Sequence, residues 1–203
     1  MNQPALLPIR FFRLFLKTLS AEIGQDTLSV VLAKGNLPPD LIDPQAASRF
    51  TSASAAETYA GIQRALRVYY GRGARGTLLR VGRILWERLL ESASFSEKAQ
   101  AQIARSLPPA MRLKPTLELL ARFLREKADG ASLHILDMDL MLADHAAAAA
   151  AGQKEDAPIC SVTLGLIQEA LFWASGREYD VVEVSCRATG GDACEFKITV
   201  SGA

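Results

Sequence analysis

Cysteine and histidine are scarce in this chain: three cysteines and two histidines among 203 residues. Three cysteines cannot all pair within one chain, so a disulfide framework is excluded as the source of stability. His134 and His145 have no evident Ser or Cys partner, so nothing spells a hydrolytic triad. Long apolar runs are also missing, and no stretch reaches the roughly 20 residues of a membrane-spanning helix. The segment up to Arg10 lacks a basic region leading into an apolar core and a small-residue cleavage site. Phe11 to Leu16 is too short and too charged to supply that core. The expectation is a cytoplasmic location, where clustered cysteines serve as metal ligands or redox thiols more often than as disulfides.

What is present reads as globular. Nearly half of the residues are apolar and 22% are charged, outside the range of disordered chains. The length suits one domain, or a domain with a helical extension. The net charge of +1 hides an asymmetry, because residues 1–130 hold 19 Lys/Arg against 11 Asp/Glu, and residues 131–203 hold 4 against 11. This fits a basic helical part packed on an acidic sheet part. No helix-turn-helix, RRM or zinc-finger spacing accompanies the basic excess, so nucleic acid is not the expected partner.

Helical periodicity dominates the first two thirds. Ile9, Phe12, Leu16, Leu19 and Ile23 form a stripe, and a short helix over Asp26–Lys34 follows. Residues 36–54 are rich in turn formers. Ser54-Ala55-Ala56-Glu57 reads as a capping box opening a helix to about Tyr70, and further helices are predicted over 76–92, 96–106 and 116–127. Gly71-Arg72-Gly73-Ala74-Arg75-Gly76 has the spacing of a dinucleotide loop. No alternating strand–helix–strand pattern surrounds it, so it reads as a connection between helices. The seven arginines from Arg64 to Arg88 read as a solvated or docking face.

The period then changes. His134, Leu136, Met138, Leu140 and Leu142 alternate with polar residues, predicting one strand with these five on its buried face. The six alanines Ala146–Ala151 read as an exposed insertion. An amphipathic helix over 161–174 ends at Gly176. Two strands close the chain, with Val182, Val184 and Cys186 on one face of the first and Cys194, Phe196, Ile198 and Val200 on one face of the second. Thr189-Gly190-Gly191-Asp192 makes the turn. The fold class is α+β: N-terminal helices packed on a small, mainly antiparallel sheet.

Strand parity brings Cys186 and Cys194 to the same face of this hairpin. Cys160 precedes a helix start, where the dipole favours a thiolate. Thiolates joined by a carboxylate or imidazole are the ligands zinc prefers. From the residues alone, a metal site and three inert buried thiols both stand.

Cys160, Leu164-Gly165, the helix to Gly176 and the run Val-Val-Glu-Val-Ser-Cys-Arg-Ala-Thr-Gly-Gly-Asp-Ala-Cys-Glu-Phe (181–196) together resemble the vinyl-4-reductase domain family. That family includes the sensory half of phenol- and xylene-responsive bacterial activators, and is distantly similar to small subunits of a tethering complex and to haem-based nitric-oxide sensors. The resemblance is carried by residues 155–200 and, through helix order, by 55–145. It implies a structural Zn2+ held by Cys160, Glu183, Cys186 and Cys194, with no open position for a catalytic water. It requires a bulge or a strand end between Glu183 and Cys186, which three positions of regular strand would put on opposite faces.

The resemblance further implies an apolar pocket between helices and sheet for a small hydrophobic or aromatic ligand. Face assignment nominates Trp86, Phe123, His134, Leu136, Met138, Leu164 and Val181 as its lining. It divides the chain into an N-terminal helical extension (1–53) and a ligand-binding domain (54–203). The extension's Phe11, Phe12 and Phe15 are offered as a homodimer element. An enzyme is not expected, since no nicotinamide, flavin or iron–sulfur site and no acid–base pair can be placed. The alternatives are a tetrapyrrole-binding accessory protein of vinyl reduction and a tethering-type scaffold.

Overall fold

The computed structural model describes residues 4–125, 129–137 and 139–200. Its α-helices are α1 (Ile9–Ile23), α2 (Gln25–Lys34), α3 (Ser52–Tyr70), α4 (Ala74–Glu91), α5 (Phe95–Ser106), α6 (Leu113–Leu124) and α7 (Ser161–Ser175). Its strands are β1 (Ala131–Leu136), β2 (Asp139–Asp144), β3 (Asp180–Ser185) and β4 (Cys194–Thr199). The sheet order is β1-β2-β4-β3, and each neighbouring pair is antiparallel. This is the α+β fold expected, with one face of the sheet covered by helices.

Helix starts follow local chemistry, with one displacement. The capping box of α3 is Thr51 with Ser54, not Ser54 with Glu57. The Ser54 hydroxyl turns back to accept from the Thr51 N–H at 3.0 Å, which places the start before Ser54 and leaves Glu57 on an exposed turn of the helix. Ser94 and Glu97 cap α5 reciprocally, as the Ser-x-x-Glu pattern favours. The glycine-arginine segment is a short 3-10 turn, Gly71–Gly73, running into α4, so it is the helix connection its context indicated.

α4 and α7 cross at a contact that only glycine permits. A Cβ on Gly82 would lie 2.2 Å from the Val162 carbonyl oxygen, and one on Gly165 would lie 2.2 Å from that of Leu79. Backbones that meet this closely leave no room for side chains. The pair therefore seats the middle of α7 against α4.

The N-terminal segment is part of the chain's own core. Phe11, Phe12 and Phe15 are fully buried, and edge-to-face contacts join Phe11 and Phe15 to Tyr59 and Phe12 to Phe50. They are therefore not the exposed dimer element suggested by the sequence, because α1 spends its aromatic stripe within the chain.

Two further expectations are corrected. The alternating run from His134 to Leu142 is not one strand. It is a hairpin, β1 and β2, that reverses at Asp137 with φ +50°, a left-handed conformation aspartate tolerates better than most side chains. The reversal changes which residues face inward: Leu133, Leu140 and Leu142 share the helix-facing side, while His134 and Leu136 are exposed on the other. The alanine run is likewise not an exposed insertion. Ala146 to Ala150 are buried, with a 3-10 turn over Ala148–Ala150 packed on α3. Six small side chains let backbone approach backbone, which hydropathy patterning does not register.

Candidate metal centre and the adjoining cavity

The C-terminal hairpin and the start of α7 meet at one corner. Cys160 is the N-cap of α7, Cys194 opens β4, and Cys186 follows the end of β3. Glu183 lies within β3, where its register partner is Phe196. The register then shifts between Glu183 and Ser185. One extra residue in a strand reverses the facing of all that follow. This bulge turns both Glu183 and Cys186 inward, resolving the parity conflict read from the sequence. It also corrects one face assignment: Val182 and Val184 point outward, 49% and 52% exposed, while Cys186 is fully buried.

The three sulfurs and a Glu183 carboxylate oxygen all lie within 4.8 Å of one another. Cys160 Sγ is 3.3 Å from Cys194 Sγ and 3.9 Å from Cys186 Sγ, and the last two are 3.8 Å apart. All three cysteines are free. Sulfurs bound tetrahedrally at about 2.3 Å from zinc stand roughly 3.8 Å apart, so the cluster has the size of a metal site. The backbone braces it. Cys160 N–H donates to Glu183 Oε2 at 3.0 Å, and Arg187 N–H donates to Cys194 Sγ at 3.4 Å. Glu183 Oε1 is buried and accepts no hydrogen bond.

The electrostatics show four acids competing to ionise without a cation. Hydrogen bonds from Cys160 and then Cys194 hold the Cys186 thiol far below its ordinary range. Cys160 is pushed well up by its bonds to Cys186 and Cys194 and by burial. The bond from Cys160 pulls Cys194 down, but the bond with Cys186 and burial outweigh it and leave Cys194 raised. Burial, then the field of Cys186, lifts Glu183 to about 8. One negative charge is supported and the others are resisted. A divalent cation removes that conflict by pairing with all four groups.

A second buried polar group lies beside this corner. Asp144 ends β2 opposite Cys194 and is 7% exposed. It lines an enclosed cavity of about 10 Å3, room for the centre of one water, together with Leu7, Phe11, Tyr59, Leu124, Ala147, Ala148, Ala149 and Thr163. Burial raises the Asp144 carboxyl to about 7, against the pull of the Ala146 N–H, which donates to Oδ1 at 3.1 Å, and the field of Arg187. Burial also raises the Tyr59 phenol. One turn along α3, Gln63 is fully buried, and neither amide atom makes a hydrogen bond. Its amide lies close enough to Tyr59 to lower that phenol's pKa slightly, but the geometry falls short of a bond.

The pocket lining nominated from the sequence is not assembled. Trp86 and Phe123 are buried and pack edge-to-face with ring centroids 5.9 Å apart. They fill the core rather than line a hollow, because Trp173 closes on Trp86 at 5.6 Å. Leu164 and Val181 are buried but do not line the cavity. His134 and Leu136 stand on the outer face of the sheet, and Met138 lies outside the described residues. Tyr59, Gln63, Asp144 and Thr163 escaped the sequence reading. One signal was available: Asp144 has the parity of Leu140 and Leu142, so it is an acid on the apolar side of a strand.

Among solved structures, the chain is similar to an H-NOX protein from S. oneidensis in its Fe(II)NO ligation state, at 13% identity and a TM-score of 0.57. That match covers 95% of this chain and 98% of the other. It is also similar to an unliganded Fe(II) H-NOX mutant from K. algicida, at 11% identity and a TM-score of 0.54, covering 95% and 96%. At such identities the likeness shows a common fold. No curated protein sequence matches the chain. A family model does match over residues 142–200, from within β2 through β4, where the metal corner and the end of the cavity wall are built. That segment belongs to the vinyl-4-reductase domain family.

Proposed function

We propose that this chain is a non-enzymatic, small-molecule-binding domain of the sensor type, with a structural zinc ion clamping one wall of its ligand site. The observation that carries the reading is the adjacency of two features: a closed, buried set of three thiols and a carboxylate, and an enclosed, mostly apolar cavity whose Asp144 and Thr163 lie beside Cys194 and Cys160. The donor set suits zinc. The residues present fit the ion, since the sulfurs already stand at tetrahedral spacing and Glu183 Oε1 is buried without a partner. Cys160, Glu183, Cys186 and Cys194 would hold it, and four protein ligands make the role structural.

The ligand site follows the general pattern of an apolar chamber with a few convergent polar groups. Leu7, Phe11, Leu124 and the alanines supply the apolar surface. Asp144, Tyr59 and Thr163 supply hydrogen bonds for a hydroxyl on a small aromatic or aliphatic molecule. In the conformation seen, the chamber admits one water. Entry of such a molecule moves the alanine segment outward, at little cost, because each alanine buries little area. A tetrapyrrole is the weaker reading. It needs far more room, and both histidines that might serve it as axial bases stand on the outer face of the sheet.

Thermal denaturation with phenol and with cyclohexanol as probes tests the ligand reading, alongside native mass spectrometry of freshly purified protein. The expected result is a saturable rise in melting temperature with one probe, abolished by Ala148→Phe, which fills the chamber. No shift with either probe and no co-purified small molecule would sink it. Metal analysis of the same preparation tests the zinc reading separately, with one ion per chain expected.

A further inference from the structure

We infer that the outer face of the sheet carries a second cation site, built from His134 and His145, that takes a borderline first-row divalent ion. Both histidines of the chain converge on one atom. Ser132 Oγ is 2.9 Å from His134 Nε2 and 3.0 Å from His145 Nε2. Their separation in sequence conceals this, and the register explains it. Ser132 and His134 are alternate residues of β1 and share its outer face. Ser132 is the Cα partner of Ala143 and His134 that of Met141. His145 continues the outward parity of Met141 and Ala143, and its N–H donates to Gly130 O at 2.9 Å.

The arrangement is a shallow cup. Ser132 and Ala143, two small residues side by side, make the floor, and Ala143 is only 2% exposed. His134, Met141 and His145 stand around it, His134 exposed and the other two half-buried. The Ser132 hydroxyl has one proton, so it donates to at most one imidazole and must accept from the other. That arrangement ties up both Nε2 atoms in ordinary hydrogen bonds. A cation above Ser132 replaces them: each imidazole keeps its proton on Nδ1 and turns its Nε2 lone pair to the metal.

Imidazole suits zinc, nickel and copper, and a thioether adds preference for the softer ions. Water completes the shell, since the cup opens to solvent. The site shares no ligand with the cysteine cluster, and its donors face away from the buried cavity. It stands whether or not the zinc and ligand readings hold.

The test uses the full chain without an affinity tag, saturated with Zn2+ and desalted, then titrated calorimetrically with Ni2+. One further equivalent is expected. His134→Ala and His145→Ala should each weaken it by roughly tenfold or more, since even outer-shell partners of metal ligands carry that much. Both side chains lie on the outer face, so circular dichroism and zinc content of the variants should match the parent. Nickel that instead enters the cysteine cluster, seen as thiolate charge-transfer absorption with displaced zinc, overturns the inference. So does no uptake, or uptake that both histidine variants retain in full.

Discussion

Two groups of buried polar side chains flank the start of α7, and they are finished to different degrees. On one side, Cys160, Glu183, Cys186 and Cys194 form a closed set whose atoms face each other within 4.8 Å. On the other, Asp144, Tyr59 and Gln63 line or adjoin a cavity with room for one water, and the Gln63 amide has no partner. Buried polar groups cost free energy unless paired. The first group answers that cost with the geometry of a cation site, which strengthens the fold when filled. The second leaves part of it unanswered, as a binding site does when its partner comes from solution.

The sharpest way to break this comparison is at the metal corner. Cys186→Ser should remove the bound ion and lower stability by several kcal/mol, about 3 or more, given what structural zinc contributes to small domains. Metal analysis and thermal denaturation read both effects, and a chelator should bring the parent protein down to the variant. A variant that keeps its metal and its melting temperature would mean that the corner is three packed thiols.

Next in size is the seat of α7. Gly82→Ala places a methyl 2.2 Å from a backbone oxygen, which cannot move without shifting the helix. A loss of about 2–3 kcal/mol is expected, measured by urea denaturation. Because α7 carries Cys160 at its start, metal retention should fall in the same variant. If only stability falls, the metal corner holds the helix start independently of its middle.

On the cavity side the expected sign reverses. Gln63→Leu removes two unpaired amide atoms and keeps most of the volume, so it should stabilise the protein by about 1–2 kcal/mol and weaken probe binding. Destabilisation would show that Gln63 already has a water partner and that the contrast between the two groups is smaller than drawn.

The pH dependence of Asp144 is the next test. Its folded pKa is raised from 3.8 to about 7, so the folded state favours the neutral acid. Below 3.8 both states are protonated and nothing is lost. As pH rises towards 7 the unfolded state gains by ionising, and stability falls, levelling above about 7. Asp144→Asn retains an oxygen for the Ala146 N–H and removes the charge. It should raise the melting temperature at about pH 8 and change it little at about pH 4. An equal effect at both would rule out a raised pKa.

The smallest effect belongs to Glu97, gripped by Arg10 through two bonds of 2.9 Å. Arg10 holds its carboxyl down to about 2, from 4.5. The stabilisation is complete above 4.5 and is lost as pH falls through about 2. It should amount to no more than about 1 kcal/mol for a pair this near the surface. Glu97→Gln should therefore flatten the acid limb of the stability curve and leave stability near neutral pH almost unchanged.

The sequence alone determined whatever rests on local chemistry. Helical stripes, Ser-x-x-Glu capping and the Gly176 stop depend on residues within a turn of each other, so α1, α5 and α7 were legible to within a residue or two. The four candidate metal ligands were legible as well, through their spacing and family resemblance, although only the bulge at β3 explains how Glu183 and Cys186 come to share a face. Tertiary structure decided the rest. A hairpin at Asp137 exchanged the faces assigned to His134 and Leu136, because one reversal resets the parity of every residue beyond it. Packing on α3 buried the alanine run, because close backbone approach is invisible to hydropathy. The convergence of both histidines on Ser132, and of Tyr59, Asp144 and Thr163 on one cavity, came from strand register and helix packing between segments far apart in the chain, which no local pattern encodes.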